Sequence, residues 1–421
     1  MDNLKFLTFD QVRDAVSQFG SPTYLYDEKI LKEAASQVLN FPNAYGLTAR
    51  YSIKASSNAI ILKIFDKMGL HFDASSGFEA ERALKVGIDS DKIQITAQEL
   101  PVNLQDLIEK KVLFVACSLN QIEEYGKLSP GSSLGIRINP GLGSGHSRQT
   151  NVGGPSSSFG IWWEYIDQIE NLLKKYDLTV NKLHTHIGSG SDPIVWEKVA
   201  MMSLETLKQF PDVTILNLGG GFKVGRMKNE VSTDMNQCGH SVRKSFEEFY
   251  NQTNRKIKLE IEPGTFLTAL SGAIVTKVMD KVYTGKQGYT FLKLNAGMTE
   301  IMRPVLYNAR HPLIVVSRDK NNDLNMDTED VIVVGHCCES GDILSPINPE
   351  NENLENICLK KAKINDLLVI DAAGSYCSSM TCANYNSFPR ANEVLLKEDG
   401  SFKLIRARQT IQQMIENEQF D

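Results

Sequence analysis

The chain has 421 residues, of which 42% are hydrophobic and 23% charged, a composition typical of a globular protein with room for a catalytic core. Its net charge is −6 and its basic residues are scattered, which argues against a nucleic-acid partner. No run approaches the roughly 18 apolar residues of a membrane span, and the segment MDNLKFLTFD has no apolar signal core, so we expect a cytoplasmic protein without a membrane partner.

The seven cysteines predict no disulfide framework, because the chain is long and their number is odd. The adjacent pair Cys337 and Cys338 is their one unusual feature. The chain also exceeds the usual size of one domain, so we expect one large domain and a smaller one.

Eight short runs, rich in β-branched and apolar residues, predict β-strands that end in small or polar residues. They are YSIKAS from Tyr51, HFDASS from His71, IQITAQ from Ile93, FVACS from Phe114, LGIRINP from Leu134, KLHTHIGSG from Lys182, ILNLGGGF from Ile215 and KLEIEPG from Lys258. Segments 58–68, 78–86 and 104–110 have apolar residues at helical spacing. The first five strands recur about every 20 residues, the length of a strand–loop–helix–loop unit. This α/β pattern favours a closed (β/α)₈ TIM-like barrel over an open doubly wound sheet.

From about Phe266 the pattern changes to strand-like runs with little helix between them. They are TALSGAIVTKVMDKV, YTFLKLN, HPLIVVS, VIVVG and LLVIDA, and the polar stretch 318–330 is expected to be an exposed hairpin tip. We therefore predict an all-β carboxyl-terminal domain after the barrel. The predicted domains are 25–268 for the barrel, and 1–24 with 269–421 for the mainly β domain.

The carboxyl-terminal ends of the predicted barrel strands carry polar residues of complementary chemistry. In a (β/α)₈ barrel these ends form one mouth, where the chemistry takes place. In chain order they are Lys54, Asp73, Thr96, Ser118, Arg137, His184 with His186, Gly219–Gly221, and Glu260 with Glu262. Such a set indicates an anionic, aromatic ligand with an electrophilic carbon.

Three of these positions suggest how the ligand is held, and each has an ordinary alternative. Lys54 could be a surface lysine, but among polar strand ends it can lose its proton and attack an aldehyde. The glycines 219–221 could be a flexible turn, or could let the backbone approach a phosphate. Glu262 could pair with a buried arginine, or could keep a pyridine nitrogen protonated. The segment GLGSG from Gly141 opens no helix and is not a dinucleotide fingerprint.

His184 and His186 are two residues apart on a strand and share one face. The sequence shows no third metal ligand, so a buried histidine or an imidazole lying against a cofactor ring is favoured, and no metal is predicted. Ser189, in the loop that follows, can donate its hydroxyl to a phosphate or a carboxylate.

The motifs together resemble a known enzyme family. The order YSIKAS, FDASSGFEAERAL, HTHIGSG, LNLGGGF, EPG, CESGD and GSY…YN is similar to that of the alanine-racemase-like decarboxylases that depend on pyridoxal 5'-phosphate (PLP). The match runs from Tyr24 to about Arg408. Within that group NPGLGSGHSRQTNVGG, MRPVLYNARH and RARQTIQQMI resemble the diaminopimelate decarboxylases most.

The resemblance implies roles for residues at matching positions. Residues implied to bind the cofactor are Lys54, Asp73, His186, Ser189, Gly219, Gly220, Gly221, Glu262 and Tyr376. Lys54 is implied to hold PLP as a Schiff base, His186 to stack on its ring, and Glu262 to pair with its ring nitrogen. Residues implied to contact the amino-acid substrate are Arg303, Tyr307, Glu339 and Tyr376.

The segment GHCCESGD is implied to reach the active site of a second subunit, so the resemblance predicts a homodimer with shared active sites. Cys338 is the implied proton donor, and Glu339 is implied to bind the distal ammonium group of the substrate. Lys54, Cys338 and Glu339 are thus the predicted catalytic residues. Cys337 has no implied role and is expected to be a small buried residue.

The implied reaction is PLP-dependent decarboxylation of meso-2,6-diaminopimelate to L-lysine and CO₂, the last step of lysine biosynthesis. Two positions depart from the family pattern: Thr265 stands where the family usually has arginine after EPG, and Ser158 where it often has lysine before FG. Arg148 and Arg303 are candidates to replace these cations. The loss leaves the substrate open, and another basic or dicarboxylic amino acid (ornithine, arginine, carboxynorspermidine or a siderophore precursor) is the alternative. A non-catalytic homologue is disfavoured by Lys54, Glu262 and Cys338.

Overall fold

The computed structural model describes residues 3–141, 153–186, 190–323, 327–348 and 353–419. The chain divides into two compact units. The barrel unit consists of Lys32–Val224 and Val231–Leu267, and the β unit consists of Met1–Leu31, Gly225–Glu230 and Thr268–Asp421. The domain limits expected from the sequence stay a prediction. In the described part of the chain no helix has the length and apolar character needed to cross a bilayer.

The strands, numbered in chain order, are β1 Thr23–Asp27, β2 Leu47–Ser52, β3 His71–Ala74, β4 Ile93–Thr96, β5 Leu113–Ala116, β6 Ser133–Asn139, β7 Ile161–Trp162, β8 Thr179–Thr185, β9 Ile215–Asn217, β10 Lys258–Ile261, β11 Gly272–Tyr283, β12 Thr290–Leu294, β13 Leu313–Val316, β14 Thr328–Val334, β15 Ile357–Lys360, β16 Leu367–Ile370, β17 Asn392–Leu396 and β18 Phe402–Arg406. The α-helices are α1 Phe9–Phe19, α2 Glu28–Leu39, α3 Ala59–Met68, α4 Gly77–Val86, α5 Leu104–Glu109, α6 Leu119–Leu128, α7 Ile166–Tyr176, α8 Pro193–Leu207, α9 Met235–Thr253, α10 Thr265–Thr268, α11 Arg303–Tyr307 and α12 Ile411–Met414.

The barrel unit contains a closed parallel sheet. Its neighbours run β2–β3–β4–β5–β6–β8–β9–β10, and β10 pairs with β2 to close the ring. The short strand β7 adds to β6 outside this ring. The eight predicted strands and the closed (β/α)₈ barrel are therefore confirmed.

Local sequence explains where the predicted helices begin and end. The side chain of Asn58 accepts a hydrogen bond from the Ile60 amide at the start of α3, and Gly69 ends that helix in the left-handed conformation. In α4 the side chain of Ser76 accepts a hydrogen bond from the Glu79 amide at the start of the helix, and Gly87 ends the helix in the left-handed conformation. These caps place each strand end directly before a helix, so the short loops between them form the barrel mouth.

The β unit contains a mixed sheet in the order β15–β14–β12–β11–β1–β17–β18, with β16 paired to both β11 and β13. The all-β character predicted after Phe266 is confirmed. The hairpin expected around 318–330 is wrong, because the strands on either side of it are not partners: β13 pairs with β16, whereas β14 pairs with β12 and β15. A buried cluster underlies the sheet and includes Val12, Leu25, Val275, Val316, Val369 and Val394.

Candidate active site

Five buried side chains form a hydrogen-bonded group inside the barrel mouth. The amide nitrogen of Gln94 lies 3.2 Å from Asp73 Oδ1, 3.1 Å from Thr96 Oγ1 and 3.0 Å from Glu262 Oε1. Asn217 Nδ2 donates to the same oxygen of Glu262 at 2.6 Å. Two carboxylates from different strands, Asp73 and Glu262, are thus held by amide donors within one cluster.

Burial changes the proton affinity of both carboxyl groups. Desolvation and the nearby Glu262 raise the pKa of Asp73 to about 7. Desolvation also raises the pKa of Glu262, and the hydrogen bond from Asn217 opposes this shift. A cationic partner would favour the charged forms of both groups, so this pocket is matched to a ligand that brings positive charge or a protonated nitrogen.

Lys54 lies on a 3₁₀ turn, Ile53–Ala55, directly after β2. Its two neighbours are buried, whereas the lysine side chain is exposed. The positive charge of Lys54 lowers the pKa of both Asp73 and Glu262, although desolvation dominates each shift. The structure therefore brings the predicted lysine into the electrostatic field of both carboxylates.

His184 and His186 lie at the end of β8 with ring centroids 6.3 Å apart. Desolvation and Arg137 lower the pKa of both rings well below the usual value, so both are neutral at pH 7. Neither ring nitrogen of the fully buried His184 has a hydrogen-bond partner among the described residues, and Nε2 lies 3.5 Å from Glu262 Oε2. The two histidines and Glu262 each offer a ligand atom within 4.8 Å of the others. The third ligand that the sequence did not reveal is thus present, and this arrangement could hold a metal ion.

Glycine is required at two positions of the run after β9. A Cβ atom at Gly219, whose φ is +70°, would lie 2.6 Å from the ring of His186. A Cβ atom at Gly220 would lie 2.5 Å from the carbonyl oxygen of Glu262. Gly221 also has a positive φ, of 101°. The run is therefore a fixed turn packed against His186 and Glu262, and a backbone without side chains permits close approach by a ligand.

A second buried network extends from this group into the barrel, and the sequence did not suggest it. Lys182 donates to the carbonyl oxygen of the Gln94 side chain, so the amide nitrogen of Gln94 faces the carboxylates. Lys182 also lies 2.7 Å from Glu260, which forms a bidentate pair with Arg50 at 3.0 and 3.1 Å. Glu260 was expected at the mouth, but its carboxylate is occupied inside the barrel. The two cations keep its pKa low, at about 2, against the opposing effect of burial.

We expect Glu260→Gln to destabilise the barrel. The substitution leaves the buried cations Arg50 and Lys182 without a counter-charge, and breaking a buried pair costs about 3–5 kcal/mol in the free energy of unfolding. Denaturant unfolding followed by circular dichroism measures the loss. Glu247→Gln, which removes an exposed pair with Arg243, is the matched control and should cost about 1 kcal/mol or less. Equal losses in both variants would contradict the expectation.

In the β unit, Cys338 and Glu339 lie on an exposed loop organised by Asp342. Asp342 accepts hydrogen bonds from the amides of Met298 at 2.7 Å and Cys337 at 2.9 Å. Both predicted catalytic side chains are exposed. Cys337 is half-buried, and burial together with Asp342 raises the pKa of its thiol to about 12. Asp342 positions this loop, and its role could not be predicted from the sequence because it acts through backbone amides.

The other predicted substrate residues also belong to the β unit. Arg303 begins α11 and its Nε donates to His311 Nε2 at 3.3 Å, while Tyr307 ends the same helix with an exposed side chain. Tyr376 is half-buried and has a left-handed φ of 55°. Arg303 and Tyr376 both act electrostatically on the buried guanidinium of Arg226, so the structure brings these three side chains together.

Two of the residues named from the sequence, Ser189 and Arg148, lie outside the residues that the structure describes. Ser158, at the position where the family often has lysine, accepts a hydrogen bond from Gln98 at 3.2 Å. Thr265, at the position of the family's arginine, begins α10 in the barrel unit.

Near the exposed loop, Glu300 is a buried carboxyl group whose burial raises its pKa to about 7. Between the unfolded value of 4.5 and about 7, the folded protein binds the extra proton, so this group destabilises the fold as pH rises through that range. We expect Glu300→Gln, which keeps an acceptor for Gly297 and Thr299, to lessen the loss of stability between pH 5 and pH 8 by a few kcal/mol. Denaturant unfolding of both proteins at the two pH values measures the difference. Parallel pH profiles would show that Glu300 ionises normally.

The residues at the barrel mouth fit a phosphorylated pyridine. Lys54 supplies an amine, Glu262 a carboxylate for a ring nitrogen, His186 a flat neutral ring, and the glycine turn a backbone surface without side chains. Both ring nitrogens of His184 are buried without a hydrogen-bond partner among the described residues, which fits a site that binds a polar ligand.

Comparisons with known proteins agree with this chemistry. Residues 29–269 match the family model described as pyridoxal-dependent decarboxylase, pyridoxal binding domain. The chain is 32% identical over 415 residues to the diaminopimelate decarboxylase of Escherichia coli, covering 97% of this chain and 96% of the relative. It is 34% identical over 416 residues to that of Buchnera aphidicola subsp. Schizaphis graminum, covering 97% and 96%.

A crystal structure of diaminopimelate decarboxylase superposes with a TM-score of 0.91 at 31% identity, covering 99% of both chains. The family match spans more than half of the chain and includes every described residue of the barrel mouth. The chain therefore belongs to the family of pyridoxal-dependent decarboxylases.

Proposed function

We propose that this protein decarboxylates meso-2,6-diaminopimelate to L-lysine and CO₂, the last step of lysine biosynthesis. The observation that carries the proposal is the group at the barrel mouth in a chain of this decarboxylase family. There His186 and Glu262 pack against the glycine turn, and Lys54 acts electrostatically on both Asp73 and Glu262. The substrate is inferred from relatives that are named diaminopimelate decarboxylase and match nearly the whole chain.

PLP, when bound, supplies an electron sink for the bond that breaks when carbon dioxide leaves. Lys54 Nζ would hold the cofactor covalently through its amine. Glu262, held by Asn217 and Gln94, keeps a proton on the ring nitrogen. Asp73 lies with Glu262 in the same hydrogen-bonded group, and the positive charge of Lys54 lowers the pKa of Asp73 against the larger effect of burial. His186 provides a flat surface that orients the ring, and the glycine turn, with Ser189, binds the phosphate.

The β unit supplies the proposed substrate groups. Arg303, Tyr307 and Tyr376 orient the substrate, and Tyr376 also contributes to phosphate binding. Cys338 Sγ gives its proton to the carbon from which carbon dioxide has left, and Glu339 binds the distal ammonium group. Because Cys338 and Glu339 are exposed in the single chain, we propose that they complete the active site of the partner subunit in a homodimer.

Product identification tests the substrate. The purified protein, supplied with PLP, is incubated with meso-diaminopimelate, L-ornithine and L-arginine, and the products are separated by chromatography. We expect L-lysine and CO₂ from meso-diaminopimelate, with at least about tenfold higher kcat/KM than for the other two. Turnover of ornithine or arginine alone would favour the alternative substrate, which the loss of cations at Thr265 and Ser158 motivates. No visible absorbance from bound cofactor would favour a non-catalytic homologue.

The two adjacent cysteines give a matched test of the proton donor. We expect Cys338→Ala to lower kcat about 10²-fold, because a positioned proton donor contributes at least that factor. Cys337→Ala should leave kcat within about twofold, since burial and Asp342 raise the pKa of this thiol to about 12 and so make it a weak proton donor. Steady-state CO₂ release from both variants shows which cysteine donates the proton. Equal losses of kcat in the two variants would contradict the assignment of Cys338.

We further propose that the homodimer works in the cytoplasm without a nucleic-acid or membrane partner. The scattered basic residues and the net charge of −6 support this location, as does the absence of disulfides among the seven cysteines. Size-exclusion chromatography with light scattering tests the dimer.

A further inference from the structure

Arg226 is a buried cation that neither the sequence motifs nor the proposed mechanism uses. It belongs to the short segment Gly225–Glu230, which joins the β unit although its neighbours in sequence belong to the barrel unit. Arg226 is only 8% exposed. Its Nε donates to the carbonyl oxygen of Ala372 at 3.3 Å, and its Nη2 is buried without a hydrogen-bond partner among the described residues. Burying a guanidinium nitrogen without an acceptor costs free energy, so this arrangement indicates that a ligand supplies the acceptor.

The surroundings of Arg226 are positive. Burial, and next the nearby Arg303, lower the pKa of Arg226 to about 10, so it remains charged at pH 7. His311 accepts from Arg303, and burial together with both arginines keeps this imidazole neutral. The carboxylate of Glu230 is engaged by the backbone amides of Arg226 and Met227. In the described part of the chain, neither guanidinium forms an ion pair with a carboxylate.

Two neighbouring guanidinium groups that form no ion pair with a carboxylate among the described residues form a site for an anion. A carboxylate fits such a site, because a guanidinium offers N–H donors that match its two oxygens. Tyr376, whose charged form would raise the pKa of Arg226, adds a hydroxyl to the same surroundings. The site thus offers two cations and one neutral donor.

We propose that Arg226, together with Arg303, binds the carboxylate that the substrate keeps when carbon dioxide is lost. This inference rests on the proposed function and deepens it. The family's usual arginine after EPG is replaced by Thr265 in this chain, and Arg226 supplies the missing cation from a different segment. The site therefore selects amino acids with a second carboxylate over diamines and over amino acids with a neutral far end.

A purely structural role for Arg226 is the competing explanation, because its Nε bond holds Ala372 in the segment that carries Tyr376. Ala372 and Tyr376 both have left-handed φ values, of 51° and 55°. A structural role predicts loss of stability and of kcat together. A carboxylate-binding role predicts weaker binding of carboxylate ligands with kcat largely kept.

The test compares Arg226→Gln and Arg226→Lys with wild type, all as PLP-loaded protein. Calorimetric titration measures the affinities for L-lysine, the product that keeps the carboxylate, and for 1,5-diaminopentane, which differs only in lacking it. In wild type we expect L-lysine to bind at least about tenfold more tightly. In Arg226→Gln this preference should fall about 10- to 100-fold, and KM for meso-diaminopimelate should rise by the same factor with kcat within about threefold. Arg226→Lys should be intermediate, because lysine keeps the charge but not the paired donors.

Arg255→Gln is the matched control. Arg255 is a half-buried arginine that donates to the carbonyl oxygens of Leu207, Phe210 and Val213. Its loss should therefore lower the melting temperature without changing the preference for L-lysine. An unchanged preference in Arg226→Gln, or no preference in wild type, overturns the inference. If wild type fails to release CO₂ from meso-diaminopimelate but prefers L-lysine through Arg226, the proposed function fails and the carboxylate site stands.

Discussion

Lys54→Ala should lower kcat for CO₂ release by at least about 10³-fold, because among the described residues of the barrel mouth no other side chain supplies an amine to attach the cofactor. Borohydride reduction followed by mass spectrometry should show one covalently retained cofactor per wild-type chain and none in the variant. Lys63→Ala, which removes an exposed lysine from α3 in the same unit, is the matched control and should behave as wild type.

A variant Lys54→Ala that still retains the cofactor covalently would place the attachment at another lysine. The buried Lys182 would then be the candidate to examine, since burial lowers its pKa to about 8. The structure argues against that outcome, because Lys182 is already engaged by Glu260 and Gln94 inside the barrel.

Glu262→Gln should lower kcat about 10²- to 10³-fold while leaving the fold intact. Glutamine keeps an oxygen that accepts from Asn217 and Gln94, and its amide faces the unpartnered side of His184, so the packing is preserved. The substitution removes the negative charge that would hold a proton on the ring nitrogen of the cofactor. Loss of one preorganised electrostatic contact typically lowers kcat about 10²- to 10³-fold. Single-turnover CO₂ release measures the rate, and thermal unfolding measures the stability.

The contrast with Glu260→Gln makes this prediction specific. The two glutamates are two residues apart at the end of one strand, yet Glu260 has buried cations as partners and Glu262 has amides. We expect the first substitution to cost mainly stability and the second mainly rate. Loss of stability in both variants, with equal loss of rate, would show that the two carboxylates share one structural role.

The barrel could be predicted from the sequence because each strand combines an apolar run with a small or polar end and a capped helix. Lys54, His186 and Glu262 could be found for the same reason, since strand ends of a barrel meet at one mouth. The strands β1, β17 and β18 were not predicted. Their pairing joins residues near the two ends of the chain, as in Thr23 with Asn392, and no local pattern reveals such contacts.

Other parts of the site depend on contacts that spacing does not encode. Gln94 and Lys182 are polar residues in the middle of strands, and only the closed barrel shows that they orient the carboxylates. Arg226 follows the glycine turn by a few residues, where the sequence gives no reason to separate it from the barrel. Glu260 was expected at the mouth because it lies two residues before Glu262 on the same strand. Its carboxylate instead pairs with two buried cations, Arg50 from β2 and Lys182 from β8.

The loop that carries Cys338 and Glu339 constrains how related sequences can diverge. A Cβ atom at Gly297 would lie 2.2 Å from the carboxylate of Asp342, and one at Gly335 would lie 2.1 Å from it. A side chain at either position would therefore clash with Asp342. Gly297, Gly335 and Asp342 therefore form an epistatic unit, in which a substitution at one position is tolerated only after a compensating change at another. Libraries that vary this loop to alter substrate choice should randomise the three positions together, or leave all three untouched.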